Sequence, residues 1–127
     1  MGRALLLAAL LLELACGSND SPEILPGKIG PTTGPYVVTA VDNHFHDIHP
    51  VDDIEIAADR PLVVKNEGNN LHNFTIGGTN VNRDFRPGNE LRFPDLREFL
   101  EVGRTYEVVC RYHASQGMVG KFTVVEG

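Results

Sequence analysis

Nine consecutive residues, Cys110-Arg111-Tyr112-His113-Ala114-Ser115-Gln116-Gly117-Met118, hold a thiol, an imidazole and a thioether. Two residues separate Cys110 from His113 and four separate His113 from Met118, gaps that let three side chains of one loop converge on a point. Soft or borderline donors of this kind suit copper rather than magnesium or calcium, and one thiolate, two imidazoles and a distant axial thioether make a blue-copper donor set. The loop lacks one imidazole. His72 is the candidate, in Asn66-Glu67-Gly68-Asn69-Asn70-Leu71-His72-Asn73-Phe74, between two strand-like runs. Each residue has a plainer alternative: His113 as a surface histidine, Met118 as core filler, His72 as a partly buried hydrogen-bonded histidine, Cys110 as an inert core thiol.

The elements that must position these groups read as β-strands. Tyr36–Val41, Asp53–Ala57, Leu62–Asn66, Asn73–Ile76, Glu90–Phe93, Thr105–Cys110 and Lys121–Val125 are short β-rich runs separated by turn residues. Tyr106, Val108 and Cys110 share one face of their run, while Val109 breaks the alternation and implies cover on both sides near the strand's end. Leu96, Phe99 and Leu100 fall at helical spacing within Asp95–Gly103 and predict one helical turn. About seven strands in a single domain favour an all-β sandwich, whose loops gather at its two ends, so a loop after one strand can face a loop from a distant one. The chain is long enough for a modest core without disulfide staples.

A hydrophobic share of 42% with 13 Gly and 8 Pro fits a turn-rich globular protein rather than a disordered one. The net charge of −6, without basic clusters, excludes nucleic acid as a natural partner. Residues 1–16 stand apart from the domain. Arg3 precedes an apolar run, Ala4 to Leu12, too short to span a bilayer and typical of an export signal. Ala15-Cys16 followed by Gly17-Ser18-Asn19-Asp20 resembles a bacterial lipoprotein processing site, with Glu13 where such sites usually carry Leu. The expectation is an exported chain on the periplasmic or extracellular face, anchored to a membrane by lipid on Cys16, with an ordinary secreted protein and an uncleaved anchor as the alternatives. Residues 17–35 then form a flexible Gly/Pro/Ser/Thr linker, and residues 36–127 the domain. Cys16 and Cys110 are the only cysteines. With Cys16 at the processing site, Cys110 is a free thiol in an oxidising compartment, and metal ligation gives it a reason to be there.

Cys110 to Val119, with Gly120-Lys121-Phe122-Thr123-Val124-Val125 behind it, resembles the copper loop and last strand of cupredoxins, plastocyanin in particular; Asn66 to Phe74 resembles the segment bearing their first histidine. The resemblance spans most of residues 36–126. It implies a Greek-key β-sandwich with one type 1 copper bound by His72, Cys110, His113 and Met118, and one-electron transfer to and from redox partner proteins. It also implies that Asn73 ties the two loops together and supports the Cys110 sulfur. Electrons would leave through the exposed edge of His113, amid an apolar patch of Leu71, Ala114, Met118 and Val119. Asp84, Glu90 and Glu101 are candidates for steering a basic partner. Where plastocyanins usually have Pro before the second histidine, this chain has Tyr112.

His44-Phe45-His46-Asp47-Ile48-His49 is a second constellation. On a strand His44 and His46 would point the same way. The group could bind zinc or copper, or be a solvated connection, since it lacks a closed four-ligand spacing. Multicopper oxidases and copper nitrite reductases also contain cupredoxin domains. Their His-x-His pairs and second domains are not matched here, where one such pair exists and Val109 and Arg111 flank Cys110. A Cys–His hydrolase usually draws its His from a distant segment and orients it against a third group, whereas His113 belongs to the Cys110 loop and Met118 would have no role. The sequence therefore predicts an electron carrier with no small-molecule substrate rather than an enzyme. A copper carrier or storage protein is the alternative.

Overall fold

The structure, a computed structural model, describes residues 34–127. The expected export segment, Cys16 and the expected linker up to residue 33 lie outside the described residues. Among the described residues nine strands form two sheets. They are β1 (Tyr36–Val41), β2 (His44–His46), β3 (Glu55–Ala57), β4 (Leu62–Asn66), β5 (His72–Ile76), β6 (Asn82–Phe85), β7 (Glu90–Phe93), β8 (Thr105–Val109) and β9 (Val119–Val125). One sheet runs β2-β1-β4-β7 and the other β3-β9-β8-β5-β6, with β1/β4 and β3/β9 parallel and the other pairs antiparallel. The chain passes back and forth between the sheets, and the expected all-β sandwich is what forms.

Alternation does most of the local work. In β1 Tyr36, Val38 and Ala40 are buried while their neighbours are half-exposed; in β9 the same holds for Gly120, Phe122 and Val124. These inward faces make one core. Phe74 of β5 joins the sheets, meeting Phe45 of β2 edge-on at 5.8 Å and Phe93 of β7 at 5.9 Å. The segment after β2 also enters the core through Ile48, which is fully buried. Gly120 has no side chain for this reason: a Cβ there would collide with the Ile48 carbonyl and lie 2.9 Å from Ile48 Cγ1. The Tyr36 hydroxyl donates to the Asp47 carbonyl at 2.7 Å and fastens the same segment to β1. Burial first, and the Asp47 charge second, push the Tyr36 pKa up to about 12.

Several element bounds differ from the sequence reading. Two strands beyond the expected set, β2 and β6, are short, and both lie at sheet edges. The helical turn is a single 3₁₀ turn, Leu96–Glu98, capped by Asp95, whose Oδ1 accepts from the Arg97 amide at 3.0 Å. β8 ends at Val109 and β9 begins at Val119, so the intervening loop is residues 110–118. His72 opens β5 instead of preceding it.

Candidate metal centre

Strand register brings the donors together. β5 and β8 are antiparallel, pairing Thr75 with Val109 and Ile76 with Val108, so the start of β5 lies beside the residues that follow β8. His72 thereby meets Cys110 although 38 positions separate them. Cys110 Sγ is 4.0 Å from His72 Nδ1 and 3.5 Å from His113 Nδ1, and the ligand atoms of all three residues lie within 4.8 Å of one another. Metal–donor bonds of about 2.0–2.3 Å place donors around one ion roughly 3.5–4 Å apart, so the triangle has metal-site dimensions. The two imidazoles are edge to face, with ring centroids 5.1 Å apart.

The loop is built to hold this triangle. The Cys110 amide donates to the Met118 carbonyl at 3.0 Å, and the His113 carbonyl accepts from the Met118 amide at 3.2 Å. Between them Ala114–Gln116 form a 3₁₀ turn that closes at Gly117, whose φ of 88° is the left-handed conformation that favours glycine. Met118 is fully buried, with its backbone bonded to both Cys110 and His113.

Asn73 does what the resemblance implies. Its amide donates to Cys110 Sγ at 3.3 Å, and its Oδ1 accepts from the Arg111 amide at 3.4 Å. Its Nδ2 donates to Asn82 Oδ1 at 2.8 Å and Asp84 Oδ1 at 2.9 Å. Asp84 continues the chain, since its Oδ2 accepts from the Tyr112 hydroxyl at 2.6 Å. Tyr112, the position at which the chain departs from the plastocyanin pattern, is thus fastened by a hydrogen bond to β6. That bond, with the Asn73 amide behind it, holds the Asp84 carboxyl below the usual carboxylate range and raises the Tyr112 hydroxyl.

Asn66, to which the sequence reading gave no role, organises the other loop. It is buried, donates from Nδ2 to the carbonyls of Asn70 (2.8 Å) and Phe85 (2.9 Å), and accepts at Oδ1 from the Gly68 amide (2.9 Å). The chain from the end of β4 to His72 is shaped by that one side chain. Gly68 passes close over the histidine: a Cβ there would lie 3.4 Å from His72 Nε2 and 3.0 Å from the Asp42 amide. A hint existed in the sequence, a strand-end Asn before a Gly/Asn-rich loop.

The state of the donors suits a metal. Cys110 is a buried free thiol. Burial, then the proximity of His113, lowers the His72 pKa against a smaller opposing effect of Asp42, and the lowering favours the neutral imidazole with its available lone pair. His72 Nε2 is buried with no hydrogen-bond partner among the described residues, and Nδ1 has the sulfur as its neighbour. An ion held at Nδ1 would leave the ring proton on Nε2, so the fit of this residue rests on Nδ1 facing the sulfur. The set fits one type 1 copper ion.

The expected surface patch is revised. Leu71, Tyr112 and Ala114 are exposed and His113 is half-buried, but Met118 is fully buried and has no surface to offer. Val119 pairs with Val109 and lines a shallow cavity with Pro50 and Lys121, away from the core-facing side on which Gly120 lies. The steering carboxylates already have partners: Asp84 takes Tyr112, Glu90 pairs with Arg92 at 2.9 Å, and Glu101 with Arg104 at 3.7 Å.

No protein-family model and no curated protein matches the sequence. Solved structures match the fold. A purple cupredoxin from Nitrosopumilus maritimus superposes with a TM-score of 0.52 at 16% identity, covering 69% of this chain and 97% of that one. A mutant fern plastocyanin gives 0.52 at 17% identity, covering 69% and 98%. A copper-containing nitrite reductase from Thermus scotoductus gives 0.55 at 17% identity, covering 89% of this chain and 25% of the enzyme. The described domain has the cupredoxin fold.

Proposed function

We propose that this chain carries single electrons through one type 1 copper held by His72, Cys110 and His113, with the Met118 thioether as a weak axial donor. The supporting observation is the convergence of one buried free thiol and two imidazoles at one end of a rigid sandwich. Copper in such a set supplies a Cu(I)/Cu(II) couple. The protein's part is to hold the donors still. Two strands and a self-bonded loop fix them, and the Asn73 amide donates to the sulfur, withdrawing charge from it. Burial of His72, Cys110 and Met118 keeps water from the donors. His113 is the half-buried member, so electrons leave through its outer edge, with Leu71 and Ala114 exposed for a redox partner protein to cover.

The apolar run Ala4 to Leu12 and the Ala15-Cys16 pair support an exported chain, tethered by lipid on Cys16 at the periplasmic or extracellular face. We read it as a carrier of electrons, a reading supported by the thiolate–imidazole group of metal-site size among the described residues. A second reading, a carrier of copper itself, is favoured by one observation: His44 and His46 are exposed and adjacent. The visible spectrum of the copper-loaded protein tests the first reading. An intense thiolate-to-copper band is expected, absent in Cys110→Ser while circular dichroism still shows a folded apo domain. A colourless wild type after loading with copper alone would overturn it.

A further inference from the structure

The imidazoles of the His44–His49 segment take no part in the thiolate centre. β2 is an edge strand, antiparallel to β1 with Val41 opposite His44, Ala40 opposite Phe45 and Thr39 opposite His46. Phe45 is buried against Phe74, which fixes the roll of the strand. Side chains two apart on a strand share a face, so His44 and His46 both stand on the solvent side. Cβ atoms at that spacing are roughly 6–7 Å apart. The rings close much of that gap, stacking with centroids 4.5 Å apart and planes 23° from parallel. His49 lies beyond the core residue Ile48, outside the strand and outside the ring pair.

We propose that His44 and His46 form an open, two-imidazole chelate for a borderline divalent cation of the copper–zinc class. Imidazole nitrogen is a preferred donor for these ions. Bonds of about 2.0–2.1 Å put the two nitrogens on one ion roughly 3–3.4 Å apart, a spacing that turning the two stacked rings about their side-chain torsions would bring within reach. Two protein donors leave the other coordination positions to water or to a partner's ligands. Such an ion exchanges readily, unlike one enclosed by the buried thiolate set. The net charge of −6 raises the local concentration of cations.

The location adds to the argument. The β1–β2 turn just before His44 touches the loop that carries His72: the position of a Cβ on Gly68 is 3.0 Å from the Asp42 amide and 3.4 Å from His72 Nε2. The open pair therefore starts at the same end of the sandwich as the buried centre. It is suited to an ion as cargo, taken up or handed on. The proposal does not depend on what the thiolate centre binds.

The test is a Zn(II) titration of the whole chain, followed by nitrogen–proton NMR of the imidazole rings. His72 and His113 report the thiolate centre; His44 and His46 report the open pair, and His49 is the internal control. Expected is a common saturating response of His44 and His46 with one-to-one stoichiometry, distinct from that of His72 and His113. In His44→Ala the His46 response should need roughly tenfold more zinc or greater, because the second donor acts at high effective concentration. His49→Ala should leave the pair unchanged. Rings of His44 and His46 that do not respond, or respond no more tightly than His49, would overturn the chelate, as would an unaltered His46 response in His44→Ala.

Discussion

Asn66→Ala is the substitution that separates the scaffold of the site from its donors. The side chain makes three hydrogen bonds at 2.8–2.9 Å, to the carbonyls of Asn70 and Phe85 and from the Gly68 amide. Alanine leaves all three backbone groups without that partner, and the bond to Phe85 is wholly buried. At about 0.5–1.5 kcal/mol for each bond, with a buried unsatisfied group at the upper end, the loss is about 2–4 kcal/mol. For a domain of this size that lowers the melting temperature by on the order of 10–20 °C. The assay is urea unfolding of the apoprotein and of the copper-loaded protein, with the slope checked for constancy. A ligand stabilises the native state according to its affinity, so the apo-to-holo gap reports how well the site binds. Asn66 shapes the chain leading to His72, so the gap should narrow as well as both curves shifting down. A loss under about 0.5 kcal/mol would refute the hydrogen-bond reasoning, whose smallest value for a single bond is already that large. A full loss with an unchanged gap would show that the loop does not position His72.

Two further perturbations address the donors and their fastening. Met118→Gln should retain copper and lower the reduction potential, because an oxygen donor favours Cu(II) more than a distant thioether does; voltammetry of the loaded variant measures it, and loss of all copper or an unmoved potential would count against the axial role. Tyr112→Phe should speed amide exchange at residues 111–113 and bring the Asp84 pKa back up toward its ordinary value, since the phenol hydrogen bond is the main cause of its depression. A depressed carboxylate contributes stability above its unfolded pKa that is lost as pH falls through the folded value, so the variant should lose less stability on acidification than wild type. Parallel acid-unfolding curves would show that the Asp84–Tyr112 bond does not form in solution.

The sequence by itself determined the parts of this protein that short-range chemistry controls. Cys110, His113 and Met118 are bound to one another by a few peptide units, so their spacing states a donor set before any fold is known. Alternation in β1, β8 and β9 likewise shows which side chains face the core, because a strand with one buried face must carry an apolar residue at every second place. The edge strand β6 escapes that logic. β6 reads Asn82-Arg83-Asp84-Phe85 with one buried residue, since an edge pairs on one side only and needs little apolar surface. Tertiary structure alone decided that the β5–β8 register sets His72 against Cys110, that Met118 is sealed in while Tyr112 is exposed, and that Val119 lines a cavity with Pro50 and Lys121. It also decided that Asn66 ties the His72 loop and that Asp84 anchors Tyr112 across 28 positions. Hydrogen bonds between residues so far apart leave no period in the chain, and they exist only once burial has brought the strands together.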